Sequence, residues 1–229
     1  MIRAVIFDMY ETLITHYHGK SPLYFSSQMA KEAEVPLEKF QAIWRGKEPE
    51  RTIGKLSLEE TLELILKENH VYREDKVKQI AAKRVATADS CFQNLHPEIF
   101  PMLEELKRHD IKIGLISNCF SEEAYVIGKS CLAPYFDAMC LSYELGMRKP
   151  DAEIYAECVK RLGVKSEECL YVGDGGSSEL EAAQAFGMKA MQASWYLKQR
   201  EDWPVKRKDE FMQASEPIDV LRVICRDMK

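Results

Sequence analysis

The chain has no long apolar segment. Its first apolar run, Ile2 to Phe7, is interrupted by Arg3 and ends at Asp8, and no later run is longer. A helix that spans a bilayer needs about 20 apolar residues, and the apolar region of a signal peptide also exceeds this run. The sequence therefore argues against membrane insertion and export, and we expect a cytoplasmic protein.

Paired cysteines and an excess of positive charge are also missing. The chain has 7 cysteines, an odd number, and no C-x-x-C pair, which fits a reducing compartment better than a disulfide framework. Its 37 acidic and 32 basic residues give a net charge of −5, and neither half is strongly basic. We therefore expect no broad nucleic-acid surface. Cys119 follows Ser117-Asn118, and we interpret it as a small loop residue, because no base lies near it in the sequence.

What the chain does contain is a series of short, continuous apolar runs, which are typical of buried parallel strands. They cover residues 4–7, 111–116, 138–141, 169–172 and 190–193. Helical patterns separate most of them, including one that begins at Asp151 and ends before Gly163. Strands that alternate with helices predict an α/β protein with a doubly wound parallel sheet, that is, a Rossmann-like core.

The segment from 16 to 91 departs from this alternation. It contains several helical stretches and no convincing strand. We predict that residues 16–91 form an all-helical cap subdomain inserted after the first strand. Residues 1–15 and 92–229 would then form the α/β catalytic core.

Polar residues follow the predicted strands. In an open parallel sheet, functional groups lie just beyond the carboxyl ends of the strands, so these residues are expected to meet. They are Asp8, Tyr10 and Thr12 after the first strand, Ser117 and Asn118 after the second, Lys149 before a predicted helix, and Asp174 and Glu179 after the fourth strand.

Each residue type in this set has a chemical use. A carboxylate such as Asp8 can attack phosphorus or carbon covalently, which divides a difficult hydrolysis into two easier steps. The hydroxyls of Thr12 and Ser117 can donate to phosphoryl oxygens, and Lys149 supplies a compact positive charge. The two acidic residues after the fourth strand complete a cluster of oxygen ligands, which suits Mg²⁺ better than zinc.

The order of these motifs resembles the haloacid dehalogenase superfamily of phosphatases and dehalogenases. The resemblance covers the whole chain, including a helical cap inserted between the first two motifs, and rests on Asp8-x-x-x-Thr12, Ser117-Asn118, Lys149-Pro150 and Gly173-Asp174…Glu179. It implies that Asp8 is the nucleophile and forms an aspartyl-phosphate. Ser117 and the Asn118 amide would hold phosphate oxygens, and Lys149 would neutralise charge.

The same resemblance implies a Mg²⁺ site. Asp8, the backbone carbonyl of Tyr10 and Asp174 would hold the ion, with Glu179 either a ligand or an outer-shell partner. The cap would close over a small phosphate ester and set its identity.

Tyr10 departs from the usual phosphatase pattern, which has a second aspartate at this position as general acid and base. A tyrosine here resembles the metal-independent 2-haloacid dehalogenases of the same superfamily. Asp174 and Glu179 point the other way, because three clustered carboxylates repel one another strongly unless a cation is present. A Mg²⁺-dependent phosphatase is therefore the leading interpretation. A dehalogenase and a weakly catalytic binding protein of the same fold are the alternatives.

The cap also carries basic residues. Arg45, Lys47 and Arg51 lie between predicted helices, where they could hold a second anionic group of the substrate or form a solvated cluster. Of the three, Arg45 is the candidate substrate-binding residue. The identity of the substrate, and the choice between a monomer and a homodimer, stay open at this point.

Overall fold

A parallel sheet forms the centre of the molecule. The computed structural model describes residues 1–15, 22–197 and 204–227. Within these ranges the strands are β1 (Ala4–Phe7), β2 (Lys112–Ser117), β3 (Ala138–Leu141), β4 (Cys169–Gly173), β5 (Lys189–Ala193) and β6 (Met212–Ala214). They lie in the order β3-β2-β1-β4-β5-β6, and every neighbouring pair is parallel. The predicted α/β fold is confirmed.

Helices cover both faces of the sheet and form a separate helical layer. In chain order they are α1 (Pro22–Ala33), α2 (Leu37–Gly46), α3 (Glu48–Thr52), α4 (Leu58–Glu68), α5 (Glu74–Ser90), α6 (Ile99–Arg108), α7 (Ser121–Lys129), α8 (Ser142–Leu145), α9 (Ala152–Leu162), α10 (Glu179–Ala185) and α11 (Asp219–Asp227). Asp151 and Gly163 flank α9 as predicted, and Gly163 adopts φ of 63°. The Asp151 side chain, however, makes no capping hydrogen bond.

The central strands are largely apolar because both faces of the sheet are buried there. Val5 and Phe7 of β1 pack into a core shared with α6, α7 and α11. Ala4 and Ile6 point to the opposite face, into a core shared with α9 and α10. Burial on two sides removes the alternation of a half-exposed strand. β1 lies inside the sheet, between β2 and β4.

Helices α1 to α5 have a hydrophobic core of their own. Phe40, Leu62 and Ile65 are fully buried within it. A reciprocal pair of hydrogen bonds between Ser57 and Glu60 caps the start of α4. The predicted cap boundaries at 16 and 91 stay a prediction, and the first of them lies outside the described residues.

The last strand and the last helix were not predicted. β6 has only three residues, and two of them are polar or exposed, so no apolar run marks it. Helix α11 packs Val220 and Ile224 against the core beside α6. In the part of the chain that the structure describes, every helix is too short or too polar to cross a lipid bilayer.

Candidate active site

The polar residues that follow β1, β2 and β4 meet at one edge of the sheet, below the helical layer. A cavity of about 810 Å³ lies between the two layers, and Tyr10, Asn118 and Lys149 line it from the sheet side. A smaller cavity of about 160 Å³ adjoins this region and is lined by Asp8 and Asp174, among others. The sheet edge is therefore the floor of a cleft between the two layers.

Lys149 is the centre of the buried charges. Its ammonium lies 2.6 Å from Asp8 Oδ1 and 2.5 Å from Glu179 Oε2, and its side chain is only 3% exposed. Burial alone would lower the pKa of Lys149, but the charges of Asp8 and Glu179 raise it above its ordinary value. Lys149 therefore stays positively charged beside the predicted nucleophile.

Glu179 is held by several donors at once. Besides Lys149, the Tyr171 hydroxyl donates to its Oε2 at 2.8 Å, and the Gly175 N–H donates to its Oε1 at 3.0 Å. A Cβ atom on Gly173 would lie 2.1 Å from Glu179 Oε1, so only glycine allows this carboxylate to approach the strand end. Burial, followed by the charges of Glu179 and Asp8, raises the pKa of Tyr171 well above its ordinary value and keeps its hydroxyl a donor.

Three carboxylates share this small space. Oxygen atoms of Asp8, Asp174 and Glu179 lie within 4.8 Å of one another. Burial, then the charge of Glu179, and also that of Asp174 raise the pKa of Asp8 to about 8, although Lys149 opposes them. Lys149 offsets one of three negative charges, and a divalent cation among these oxygens would relieve the remaining repulsion. A donor set made only of carboxylate oxygens fits Mg²⁺.

The two predicted hydroxyl donors are buried. Neither Thr12 nor Ser117 is exposed to solvent, and neither hydroxyl has a hydrogen-bond partner among the described residues. A buried hydroxyl without a partner is unfavourable by roughly 1–3 kcal/mol, so an external acceptor would stabilise it. Neither residue lines the cavities themselves. A phosphate oxygen could accept the hydrogen bond that the Ser117 hydroxyl lacks, since Ser117 lies at the end of β2, the strand beside β1.

Asn118 positions the lysine. Its side-chain nitrogen donates to the Lys149 carbonyl at 3.0 Å, and the Lys149 N–H donates to its side-chain oxygen at 2.8 Å. This pair of bonds fixes the backbone from which Lys149 reaches the nucleophile. One side-chain N–H and the side-chain oxygen of Asn118 are engaged by Lys149, which leaves its second side-chain N–H and its backbone N–H as donors for substrate.

Two exposed arginines line the larger cavity from opposite sides. Arg45 from α2 and Arg148 from the sheet side both line it, and both are exposed. Among the described residues, neither guanidinium has an ion-pair partner. Arg45 therefore lies at the cavity, where Arg148 joins it, and its role in substrate binding stays a prediction.

Arg51 is buried and paired, so it is not the solvated charge that was one of its two possible roles. Its guanidinium is 1% exposed and lies 3.3 Å from Glu122 Oε1, stacked 3.6 Å above the Trp44 ring and 3.9 Å from the Phe120 ring. Arg84 from α5 lies 3.1 Å from Glu122 and 2.7 Å from the neighbouring acid, Glu123. Arg51 and Arg84 are therefore not a solvated cluster, although both line the larger cavity. They join the helical layer to the first turn of α7.

Cys119 is not reactive. Burial, followed by the nearby charge of Glu123, raises the pKa of its thiol to about 12. A thiol reacts as its thiolate, which is scarce at neutral pH when the pKa is that high. The interpretation of Cys119 as a small loop residue agrees with its burial.

A second group of possible metal ligands lies away from the site. His96, Glu98 and Glu216 have ligand atoms within 4.8 Å of one another. His96 Nδ1 accepts the Glu98 backbone N–H at 3.3 Å, and His96 Nε2 lies 3.2 Å from Glu216. A histidine that ligates a metal donates from its other nitrogen, which this arrangement prevents. The cluster is therefore a hydrogen-bonded contact between α6 and the start of α11.

Two site residues could not be recognised in the sequence. Tyr171 lies inside a buried strand, and nothing in its neighbours shows that its hydroxyl reaches Lys149, 3.3 Å away. Gln192 is the one polar residue in the run 190–193, and this position is the only feature of the sequence that indicates a role for it. Both act on the site through other residues.

Comparison with known proteins identifies the family. The family of haloacid dehalogenase-like hydrolases matches residues 2–187, which is most of the chain. The protein therefore belongs to the haloacid dehalogenase-like hydrolases.

Two relatives and one solved structure illustrate the similarity. The glyceraldehyde 3-phosphate phosphatase of Methanopyrus kandleri is 27% identical over 261 residues, which cover 99% of this chain and 100% of that protein. The phosphoglycolate phosphatase of Aquifex aeolicus is 26% identical and covers 86% of this chain and 87% of its own. A 2-haloacid dehalogenase from Pseudomonas syringae pv. Tomato superposes with a TM-score of 0.72 at 24% identity, covering 99% of both chains. At that identity, the structural likeness establishes the fold.

Proposed function

We propose that the protein is a Mg²⁺-dependent phosphatase that hydrolyses a small phosphorylated metabolite through an aspartyl-phosphate on Asp8. The observation that carries the proposal is the buried cluster in which Asp8 contacts Lys149 and lies beside Asp174 and Glu179. The two phosphatases similar to this chain support phosphate esters as the substrate class.

In the first step, a carboxylate oxygen of Asp8 attacks phosphorus and the bond from phosphorus to the ester oxygen breaks. Lys149 holds Asp8 in place and offsets the charge that it shares with the phosphoryl group. The leaving oxygen takes a proton, and Tyr10, at the cavity wall, is the donor that we assign. The alcohol is released, and Asp8 is phosphorylated.

In the second step, water attacks phosphorus and the bond between phosphorus and Asp8 breaks. Free phosphate leaves. Tyr10 regains its proton from solvent before this step, so water attacks without a positioned base and its proton passes to solvent. We assign Ser117 and the Asn118 N–H to phosphate oxygens in both steps, and the Thr12 hydroxyl, which has no partner among the described residues, as a further donor to substrate. The Thr12 carbonyl accepts the Trp195 indole N–H at 2.8 Å, which holds the loop after β1. The orphaned Ser117 hydroxyl supports this assignment.

Asp8, Asp174 and the Tyr10 carbonyl would hold Mg²⁺. The ion would supply positive charge to the phosphoryl oxygens during transfer. Glu179 already accepts three hydrogen bonds, so we assign it an outer-shell role, in which it orients Lys149 and the loop that carries Asp174.

The cavity favours a substrate with a second anionic group. Arg45 and Arg148 stand in its wall without ion-pair partners in the described ranges, and both could bind a carboxylate or a second phosphate. Phosphoglycolate, which carries a carboxylate, is therefore a better candidate than glyceraldehyde 3-phosphate, which carries an aldehyde. The helical cap, residues 16–91, would close over the substrate and set this preference.

A metal-independent 2-haloacid dehalogenase is the second candidate, and Tyr10 is the observation that favours it. The three clustered carboxylates oppose it, because a halide-releasing site without a metal gains nothing from their repulsion.

The described cysteines are free thiols, which supports the expected cytoplasmic location. We propose that the protein acts as a monomer or a homodimer, without a nucleic-acid partner.

One assay separates these functions. Release of nitrophenol from p-nitrophenyl phosphate is measured with Mg²⁺, after exhaustive chelation and after Mg²⁺ is returned, beside chloride release from 2-chloropropionate. We expect phosphatase activity that disappears on chelation and returns with Mg²⁺. Metal-independent chloride release would establish the dehalogenase, and neither activity would point to a binding protein. Phosphoglycolate and glyceraldehyde 3-phosphate then test the substrate preference.

A further inference from the structure

Gln192, near the end of β5, is a buried polar residue with 0% exposure. Its side-chain nitrogen donates to the Asp174 carbonyl at 2.8 Å and to the Lys206 carbonyl at 3.0 Å. Its side-chain oxygen accepts the Lys208 backbone N–H at 2.7 Å and the Gln213 side-chain amide at 3.1 Å. Both donors and both lone pairs are used, and the orientation of the amide is fixed because its nitrogen faces only carbonyls.

These four bonds connect two parts of the site. One is the loop after β4, in which the Asp174 side chain also accepts the Gly176 N–H at 2.8 Å. The other is residues 204–208, which we call the rim segment because Pro204 and Val205 line the larger cavity. Val205 also lines the smaller cavity, together with Asp8 and Asp174. Gln192 therefore lies between the proposed metal ligand and the rim.

We propose that Gln192 is a positioning residue for the divalent-cation site, which acts by fixing the Asp174 peptide and joining it to the rim segment. The inference rests on the proposed function, because it requires Asp174 to be a metal ligand. Asp174 is held through its carbonyl by Gln192 and through its side chain by Gly176, so its carboxylate has little freedom to rotate away. A ligand held in advance binds a cation more tightly than one that must be ordered.

The tests use Gln192→Met and a matched control, Gln213→Met. Methionine has nearly the length of glutamine but makes no such hydrogen bonds. Gln213 also donates to the rim segment, at the Lys208 carbonyl, yet it has no bond to Asp174. Circular dichroism and thermal melting establish that each variant folds. If Gln192→Met does not fold, Gln192→Glu replaces it, because its oxygen can still accept from Lys208 and Gln213.

Mn²⁺ binding, followed by electron paramagnetic resonance without substrate, is the main measurement. We expect the position 192 variant to bind Mn²⁺ at least about tenfold more weakly than wild type, and Gln213→Met to stay within about twofold. The phosphatase activity of the position 192 variant should also recover as the Mg²⁺ concentration is raised. A purely structural defect would not allow that recovery.

Three results would overturn the inference, and the third also overturns the proposed function. If wild type binds Mn²⁺ tightly and the position 192 variant binds it equally well, or if both variants weaken it equally, Gln192 has no specific role. If wild type binds no Mn²⁺, the proposed function fails and this inference fails with it.

Discussion

At the scale of single residues, Asp8 carries the proposed chemistry most directly. Asp8→Asn keeps the shape of the side chain but removes the negative charge with which it attacks phosphorus. We expect less than a few per cent of the wild-type rate of p-nitrophenyl phosphate hydrolysis, with an unchanged circular dichroism spectrum. Loss of one buried charge beside Asp174 and Glu179 should not unfold the chain, because it also removes repulsion. A variant that kept substantial activity would exclude Asp8 as the nucleophile.

Tyr10 sets the second prediction. Tyrosine hydroxyls titrate near pH ~10, so they donate protons at neutral pH but are poor bases. A positioned base contributes about 10²–10⁴-fold, and hydrolysis of the phospho-enzyme should be slow without one. Rapid mixing with p-nitrophenyl phosphate should therefore show a burst of nitrophenol and then slower turnover. Tyr10→Asp should speed the steady state if its shorter side chain reaches the attacking water.

A linear time course with fast turnover would contradict this prediction and require another base. Glu11 is adjacent in sequence, but it lines neither cavity at the site. Glu48, at the start of α3, and Glu123 do line the larger one, and Glu123 is already bonded to Arg84. Glu48→Gln would then be the variant that slows turnover.

Arg45 gives a prediction about specificity. If it binds a second anionic group, Arg45→Gln should raise KM for phosphoglycolate about three- to tenfold and leave kcat nearly unchanged, because the contact is the same in the ground and transition states. The KM for p-nitrophenyl phosphate, which has no second anion, should not change. Lys39→Gln is the control, since Lys39 is exposed on the same helix but does not line the cavity. An equal change for both substrates would exclude a specific contact.

At the scale of elements, the first turn of α7 joins the helical layer to the sheet. Glu122 and Glu123 are buried there, only a few residues after Ser117 and Asn118, and they bind Arg84 of α5. The motif that would hold phosphate and the layer that would cover it are therefore attached to the same turn. A substitution that displaces the first turn of α7 should therefore also displace the helical layer, and the reverse.

The fourth prediction concerns this junction. Arg84→Met removes a buried partner of two glutamates, and breaking a buried ion pair on one side is destabilising by about 3–5 kcal/mol. Urea unfolding should show a loss of that order. Lys78→Met removes an exposed ion pair with Glu74 on the same helix and should change stability little. Equal losses in the free energy of unfolding for the two variants would show that the buried ion pairs stabilise the fold no more than an exposed one does.

At the scale of the whole molecule, the sequence predicted two kinds of feature: strands with an apolar pattern, and site residues that follow the ends of those strands. Five of the strands are largely apolar because both faces of the sheet are covered, and the parallel arrangement then brings Asp8, Lys149 and Asp174 together. Those residues could be found without coordinates.

Other features depend on contacts between residues distant in sequence. Arg51 and Glu122 are separated by 71 positions, and their pairing follows from how the helical layer docks. Tyr171 and Gln192 act through the direction of one side chain inside an apolar strand. The three-residue strand β6 exists because it pairs with β5, and its own residues carry no strand pattern.

The last prediction concerns the stability of the whole fold toward Mg²⁺. Without a cation, Asp8, Asp174 and Glu179 repel one another inside the folded chain, and unfolding would release that repulsion. A cation that binds only the folded state stabilises it, by about 1.4 kcal/mol when its free concentration is roughly ten times its Kd. For a chain of this size, that corresponds to a rise in Tm of roughly 3–6 °C. Thermal melts with and without Mg²⁺ measure the shift.

Asp174→Asn is the matched variant for this experiment. It removes one of the three negative charges, so the metal-free variant should melt no lower than metal-free wild type, while its response to Mg²⁺ should be largely lost. That combination separates a binding site from general salt effects, which would raise both Tm values together. A wild-type Tm that does not respond to Mg²⁺, or a variant that responds as strongly, would exclude these carboxylates as the cation site.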